Sequence, residues 1–493
     1  MEAPQPPAPE PDRARRKKSA EPDAGDVVAP AYTGPIASGE DARRYLDSLL
    51  NVELLRPTRV DRGEVFKLAR MHALVDALGK PHQAFRCVHV AGSKGKGSVC
   101  EMTAAALCGC GLTVGIFTSP HLIDMRERIR INGEWIADSE LASCLDRVAE
   151  AARGLPKELG TVTHFEALTA CALVHFADQA VDIALIEVGL GGLHDATNVI
   201  TPTVCAITAI QREHTQLLGE TLEEIAAHKA GIMKPGVPCI TVGQDKGAMA
   251  VFRQTAEQVG CELRVIGEDL EFSSRFAAVD QTPSRRISVT TPRRAFEHIV
   301  VPLKGEHQAH NCGVALGIID ALAERGVQTP EGAVAAGLAR TAANGRLEVV
   351  CREPRTIVDG AHTPESIGEL IKSLGAHVRY DSLVVVFGCA ADKDATGMLQ
   401  KIAGGADKVF FTKAGGSTRA MDPRELIRRY HDITGKTMQA APTMAAALEL
   451  AEKAVQRGDV LCITGSFLIA GEAKRHYLAK AAKASVVEIK PRR

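Results

Sequence analysis

The chain has 493 residues, with 59 Lys plus Arg against 60 Asp plus Glu, a formal net charge of −1. That balance argues against bulk electrostatic capture of nucleic acid or an acidic membrane, and the length suggests two to four domains at about 150 residues each. Hydrophobic residues make up 45% and charged residues 24%, ordinary globular values that allow more than one buried core.

No apolar run reaches the ~18 residues of a membrane span. The N-terminus carries the basic run Arg13, Arg15, Arg16, Lys17, Lys18 but no apolar stretch after it, so it is not a secretory signal. A cytoplasmic protein without nucleic-acid or membrane partners is the expectation. Thirteen cysteines, an odd number, are scattered from Cys87 to Cys462 without a CxxC, and they read as buried reduced thiols rather than a zinc site. Residues 1–39 hold 8 of the 24 prolines and few large apolar side chains, so burial cannot offset their ordering entropy and they read as a disordered leader.

From about residue 40 the pattern is helical, with Tyr45, Leu46, Leu49 and Leu50, then Leu68, Met71, Leu74, Val75 and Leu78 at three- and four-residue spacing. CVHVAGSKGKGS then predicts a short strand, a glycine-rich turn and a helix. The runs TVGIFTS, DIALIEVGL, TVCAITAI and VPCITVG read as buried strands, and HQAHNCGVALGIIDALAERG as a long amphipathic helix. A second alternation begins near Arg346 with RTIVDGAH, SLVVVFGCA, KVFFTKA and VLCITGS. The fold class is therefore α/β: a largely parallel phosphate-loop domain over 40–345, followed by a smaller Rossmann-like domain over 346–493.

Gly92-Ser93-Lys94-Gly95-Lys96-Gly97-Ser98 sits where a phosphate cradle belongs, between a strand and a helix N-terminus. Gly95 and Gly97 leave room for backbone N–H groups to approach phosphate oxygens. Lys96 is suited to neutralise β- and γ-phosphates, and Ser98 to contact Mg2+ or a phosphate. The spacing is the short GxxGKGS rather than GxxxxGK[ST].

AGSKGKGS resembles the AGTNGKGS loop of the Mur ligase superfamily. The motifs TSPHL, THFEALTA, EVGLGG…DATN, EHT…LG, HKAGI, GEHQAHN, GRLE, DGAHTP and DKD follow in the order of its folylpolyglutamate synthase/dihydrofolate synthase branch. The resemblance runs from about residue 42 to the C-terminus. It implies an ATP-dependent ligase that phosphorylates a carboxylate and joins it to glutamate: to dihydropteroate, to folate polyglutamates, or to both. A ligase acting on a cell-wall precursor is the next reading, disfavoured because only about 50 ordered residues precede Gly92. A nucleotide-binding sensor or scaffold without ligase activity is the third.

The resemblance also implies roles residue by residue. Ser119, Glu187, His214 and Lys229 match metal-associated positions for Mg2+, with Lys229 carrying CO2 as a carbamate and a monovalent cation as a further companion. Asn311, Arg346 and Asp359 match ATP contacts, alongside Gly95, Lys96, Gly97 and Ser98. Lys96, His214, Lys229, Asp359 and His362 match the groups around the reacting atoms. His121, Thr163, His164, Phe165, Glu166, His194, Asp195 and Ala196 match the segments that bind the pteridine-type substrate, where an aromatic ring can stack and a carboxylate can pair with ring N–H groups. Three positions depart from the family: Leu193 stands for an arginine, His228 for a glutamate and Thr363 for an asparagine. Small-molecule substrates, domain closure around ATP and a monomeric state complete the expectation.

Overall fold

The computed structural model describes residues 32–53, 67–279 and 282–488. The first domain is built on an eight-stranded sheet in the order β4-β3-β2-β5-β1-β6-β7-β8. Its strands are β1 (Arg86–Ala91), β2 (Val114–Phe117), β3 (Ile129–Ile131), β4 (Glu134–Trp135), β5 (Ile183–Glu187), β6 (Val204–Ile207), β7 (Cys239–Val242) and β8 (Leu263–Ile266). All pairings from β2 to β8 are parallel, while β3 and β4 form an antiparallel edge. The chain leaves β1 first toward β2 and later toward β6, so a crevice opens at the carboxyl end of β1, where ligands of such sheets bind.

Three antiparallel strands follow that the sequence reading did not separate: β9 (Glu271–Val279), β10 (Thr282–Thr290) and β11 (Ala295–Val300). Between this small sheet and strands β6 to β8 lies helix Glu306–Glu324. The expectation of an amphipathic helix there is corrected: 14 of its 19 residues are buried. Past its first turn, where Glu306, His307 and His310 are exposed, it has no solvent face because it is covered from two sides. A Cβ on Gly313 would meet Phe272 of β9 at 3.2 Å, and one on Gly317 would meet Ile240 of β7 at 2.9 Å. Each fully buried Leu or Ile on this helix contributes about 1.5–3 kcal/mol. Its one buried acid, Asp320, is paired with Arg294 at 3.0 Å, which also donates to Thr329 O at 2.7 Å.

The second domain carries a six-stranded sheet in the order β12-β13-β17-β14-β15-β16. These strands are β12 (Glu348–Cys351), β13 (Thr356–Val358), β14 (Leu383–Phe387), β15 (Lys408–Phe411), β16 (Gln439–Ala440) and β17 (Val460–Thr464), parallel except for β12. The molecule is thus a mixed α/β protein with a large parallel-dominated sheet and a smaller second one.

Helix starts follow side-chain caps. Thr163 with Glu166 caps helix His164–Asp178, Thr221 with Glu224 caps Leu222–Ala230, and Thr363 with Ser366 caps Pro364–His377. The leader expected over 1–39 is shortened from its far end. Residues 32–39 are packed, with Ile36 buried and its N–H donated to Asp146 at 3.3 Å, and helix Gly39–Asp47 starts at the Ser38 cap. Residues 1–31, with the basic run, lie outside the described residues. All thirteen cysteines are free thiols, and no described helix is long and apolar enough to cross a membrane.

Candidate active site

Strand β1 ends at Ala91 and the chain turns through Gly92 and Gly95, both at left-handed φ of 138° and 99°, where an L side chain is strained. Side chains are excluded there for a second reason. A Cβ on Gly92 would collide with the Thr208 hydroxyl, one on Gly95 with the Asn311 amide, and one on Gly97 with the Arg346 guanidinium. The cradle is therefore kept open by three glycines, with Asn311 and Arg346 already at its rim. Helix Lys96–Gly109 starts directly behind it.

Positive charge gathers on one carbonyl. Lys96 Nζ and Lys229 Nζ both donate to Gly92 O, at 3.0 Å and 2.9 Å. Lys229 is 2% exposed and also donates to Glu213 Oε1 at 3.1 Å. Burial pushes its amine down to about 8, against the pull of Glu213. Burial disfavours the Glu213 carboxylate too, but Lys229, Lys96, His214 and Lys94 outweigh it and hold the group at about 2. Glu213 is thus the counter-ion of the lysine cluster, a role unassigned by the sequence motifs although it stands beside His214. His214 itself is at left-handed φ of 47°, and burial holds its imidazole at about 4.

Glu187 closes β5 beside this cluster. It is 4% exposed, its Oε2 accepts the Ser119 N–H at 3.2 Å, and burial raises its pKa. Among the described residues no three His, Cys, Asp or Glu side chains converge as a ready-made metal site. Two hard oxygen groups, Glu187 and the hydroxyl of Ser119, do suit Mg2+, an ion that keeps waters and takes remaining ligands from phosphate.

The second domain brings Asp359 and His362 from the turn after β13. Asp359 Oδ2 accepts Leu347 N–H and Oδ1 accepts Ala361 N–H, both at 2.9 Å, and burial raises the carboxyl to about 6. His362 Nδ1 lies 2.8 Å from Gly360 O. A carbonyl only accepts, so Nδ1 carries the proton and Nε2 is the acceptor. That Nε2 is 3.4 Å from Lys94 Nζ, a contact across the domain boundary. Burial and Lys94 together push the imidazole down to about 3.

The remaining expected substrate residues divide. Phe165 is half-buried against Gly189 and 5.8 Å from the Phe117 ring, leaving part of its face open. His194 and Leu193 are exposed on the same loop, with the His194 ring 6.1 Å from that of His228. His121 and His164 lie beside Arg128, which donates Nε to His121 Nδ1 at 3.0 Å and pairs with Glu53 at 2.6 Å. Burial, then Arg128, holds both imidazoles at about 4.

Four of these residues are engaged within the protein itself. Glu166 accepts Arg70 Nε at 3.0 and 2.8 Å and the Thr163 N–H at 2.8 Å. Thr163 is its capping partner. Asp195 accepts the N–H groups of Leu190 and Thr197 at 2.8 and 3.0 Å, and it holds its loop in shape with Ala196 buried behind it. The departure at Thr363 is also explained, since it caps a helix.

Models of the Mur ligase middle domain and the Mur ligase glutamate ligase domain match residues 90–319 and 345–467. The chain is 31% identical to the dihydrofolate synthase/folylpolyglutamate synthase of Bacillus subtilis, over 83% of this chain and 94% of that protein. It is 33% identical to the Mycobacterium tuberculosis protein of the same name, over 92% and 97%. Among solved structures, M. tuberculosis folylpolyglutamate synthase complexed with ADP superposes with a TM-score of 0.80 at 29% identity, covering 89% of this chain and 98% of that one. E. coli FolC in complex with DHPP and ADP superposes at 0.75 with 25% identity, covering 92% and 100%. With two Mur ligase domains in order and these relatives matched over nearly their whole length, the chain belongs to the dihydrofolate synthase/folylpolyglutamate synthase family of ATP-dependent ligases.

Proposed function

We propose that this ligase uses ATP to join L-glutamate to the carboxylate of dihydropteroate, of a folate polyglutamate, or of both. The observation that carries the reading is the convergence of both domains on one glycine-lined cradle, with Lys96 and Lys229 on one side and Arg346, Asp359 and His362 on the other. An acceptor carboxylate oxygen attacks the γ-phosphorus and ADP leaves. The amine of glutamate then attacks the acyl carbon of the acyl phosphate, phosphate leaves, and the amine loses a proton.

Lys96 and Arg346 meet the growing charge on the transferred phosphoryl group, Arg346 with its planar fork. His362, at about 3, is too weak a base to hold a proton at neutral pH; its Nε2 instead accepts from Lys94 and aims that cation into the site. Glu187 and Ser119 would hold Mg2+, which supplies Lewis-acid polarisation of phosphate oxygens. Lys229, at about 8, keeps a fraction of free amine at neutral pH. That amine can add to CO2 with loss of one proton, giving the carbamate that the resemblance implies and replacing a cation with an anion near the metal-associated residues. Closure of the two domains excludes the water that hydrolyses an acyl phosphate.

The test is phosphate release from the purified chain with Mg-ATP and L-glutamate, comparing dihydropteroate, tetrahydrofolate and no acceptor, with product masses. One glutamyl unit added to either acceptor is expected. ATP bound without turnover on both would overturn the assignment. Bicarbonate-dependent activity, with rescue of Lys229→Ala by short carboxylates, is expected for the carbamate.

A further inference from the structure

The loop from Ser119 to Glu127 belongs to the first domain, but its residues Leu122 and Ile123 pack into the second. Leu122 is 6% exposed and lies in the second domain's apolar cluster with Val358, Ile463, Ile469 and Ala470. Helix Phe467–Glu488 runs across it. A Cβ on Gly471 would overlap the Leu122 carbonyl oxygen, and Arg475 donates to Ile123 O at 2.6 Å. At the domain junction, a Cβ on Gly345 would sit 3.1 Å from Leu122 Cδ1.

This loop is stiff. The Glu127 carboxylate accepts three successive backbone N–H groups, those of Leu122, Ile123 and Asp124, at 2.8, 2.8 and 3.0 Å. Its other end is tied into the site, through the Ser119 N–H on Glu187 and the His121 ring under Arg128. A displacement at Leu122 is therefore passed to Ser119 and His121 rather than absorbed between them. Gly471 costs the helix about 1 kcal/mol relative to alanine, and its contact with the Leu122 carbonyl is what requires it.

We infer that Leu122 is a plug seated in the second domain, and that Gly471 and Arg475 are positioning residues through which domain closure sets the places of Ser119 and His121. The inference rests on the ligase reading above, in which closure precedes chemistry.

Gly471→Ala in the full chain forces the Leu122 carbonyl to move, because its Cβ would overlap that oxygen, and the split between kcat and KM together with local exchange separates positioning from a merely structural role. We expect kcat to fall at least tenfold, KM for ATP to stay within about twofold, and the unfolding temperature to fall by only a few degrees, alanine's helix preference offsetting part of the overpacking. Amide hydrogen exchange over residues 119–128 is expected to quicken about tenfold. Arg475→Ala is expected to lower kcat about threefold, with Arg475→Lys restoring most of it. Wild-type kcat together with wild-type exchange over 119–128 in Gly471→Ala would overturn the plug. A wild-type chain inactive on every acceptor would instead defeat the ligase reading, and the exchange measurement alone would then decide the plug.

Discussion

The two strand ends that meet at the site are built on opposite plans. At the end of β1 the charge is recruited from afar: Lys229 reaches Gly92 O across 137 positions of sequence, and Glu213 arrives from another loop to balance it. At the end of β13 the group is held mainly by backbone of its own domain: Asp359 by Leu347 and Ala361 N–H, His362 by Gly360 O, and the turn itself by Ile463 and Gly345. The first half is a network of charges that depend on one another. The second is a turn fixed by backbone hydrogen bonds. Damage to the first should show most in stability and nucleotide use, and damage to the second most in turnover.

The largest effect is expected at Lys96. Lys96→Ala should lower kcat/KM for ATP about 10³-fold, roughly 4 kcal/mol of lost phosphate stabilisation, read by steady-state kinetics. Glu213→Gln should come next and, in protein kept free of CO2 so that Lys229 is an unmodified amine, should break the network, since it leaves a buried ammonium without its counter-charge. A loss of about 3 kcal/mol in denaturant unfolding is expected, and Lys229→Met in the same background should recover part of it. Asp359→Asn sharpens the contrast: kcat should fall ten- to a hundredfold, about 1.4–3 kcal/mol, with a smaller loss of stability than Glu213→Gln, about 1–2 kcal/mol, because the amide can accept only one of the two N–H groups that the carboxylate holds.

Acid should distinguish the halves more gently. Burial depresses His89 and His362 to about 3 and His121, His164 and His214 to about 4, four of the five in the first domain. Below about pH 6.5 the unfolded chain takes up protons that these folded imidazoles refuse. Stability therefore rises with pH between their folded values and about 6.5, and is lost on acidification by up to about 1.4 kcal/mol per pH unit and histidine. Denaturant midpoints from about pH 7 to about pH 5 would show this slope, and His89→Asn should flatten it. Smallest, Thr363→Ala should cost about 1 kcal/mol through the lost helix cap, with Thr363→Asn near neutral in thermal unfolding.

How much of this was legible in the sequence follows from how local each feature is. Strand, glycine turn and helix around Gly92 are contiguous, and the apolar runs of β5, β6, β14 and β17 announce themselves as buried strands. Arg70 and Glu166 are 96 positions apart, so nothing in the local motif says that Glu166 is already paired. Glu213 stood in view beside His214, but its value comes from a lysine 16 positions on. The three-stranded sheet was missed because β9 mixes Ser273, Ser274 and Arg275 with its two phenylalanines, although Ile287 and Val289 of β10 alternate as strand residues do. Helix Glu306–Glu324 was misread as one-sided for the same reason, since its second covering layer is that sheet.

That helix has one more consequence. Asn311, at the rim of the phosphate cradle, stands on a helix covered from two sides, whereas Leu193 and His194 stand on an exposed loop. A change near Asn311 must first survive folding, and a change at Leu193 need only survive selection for activity. The fold therefore tolerates substitution on the Leu193–His194 loop far more readily than around Asn311.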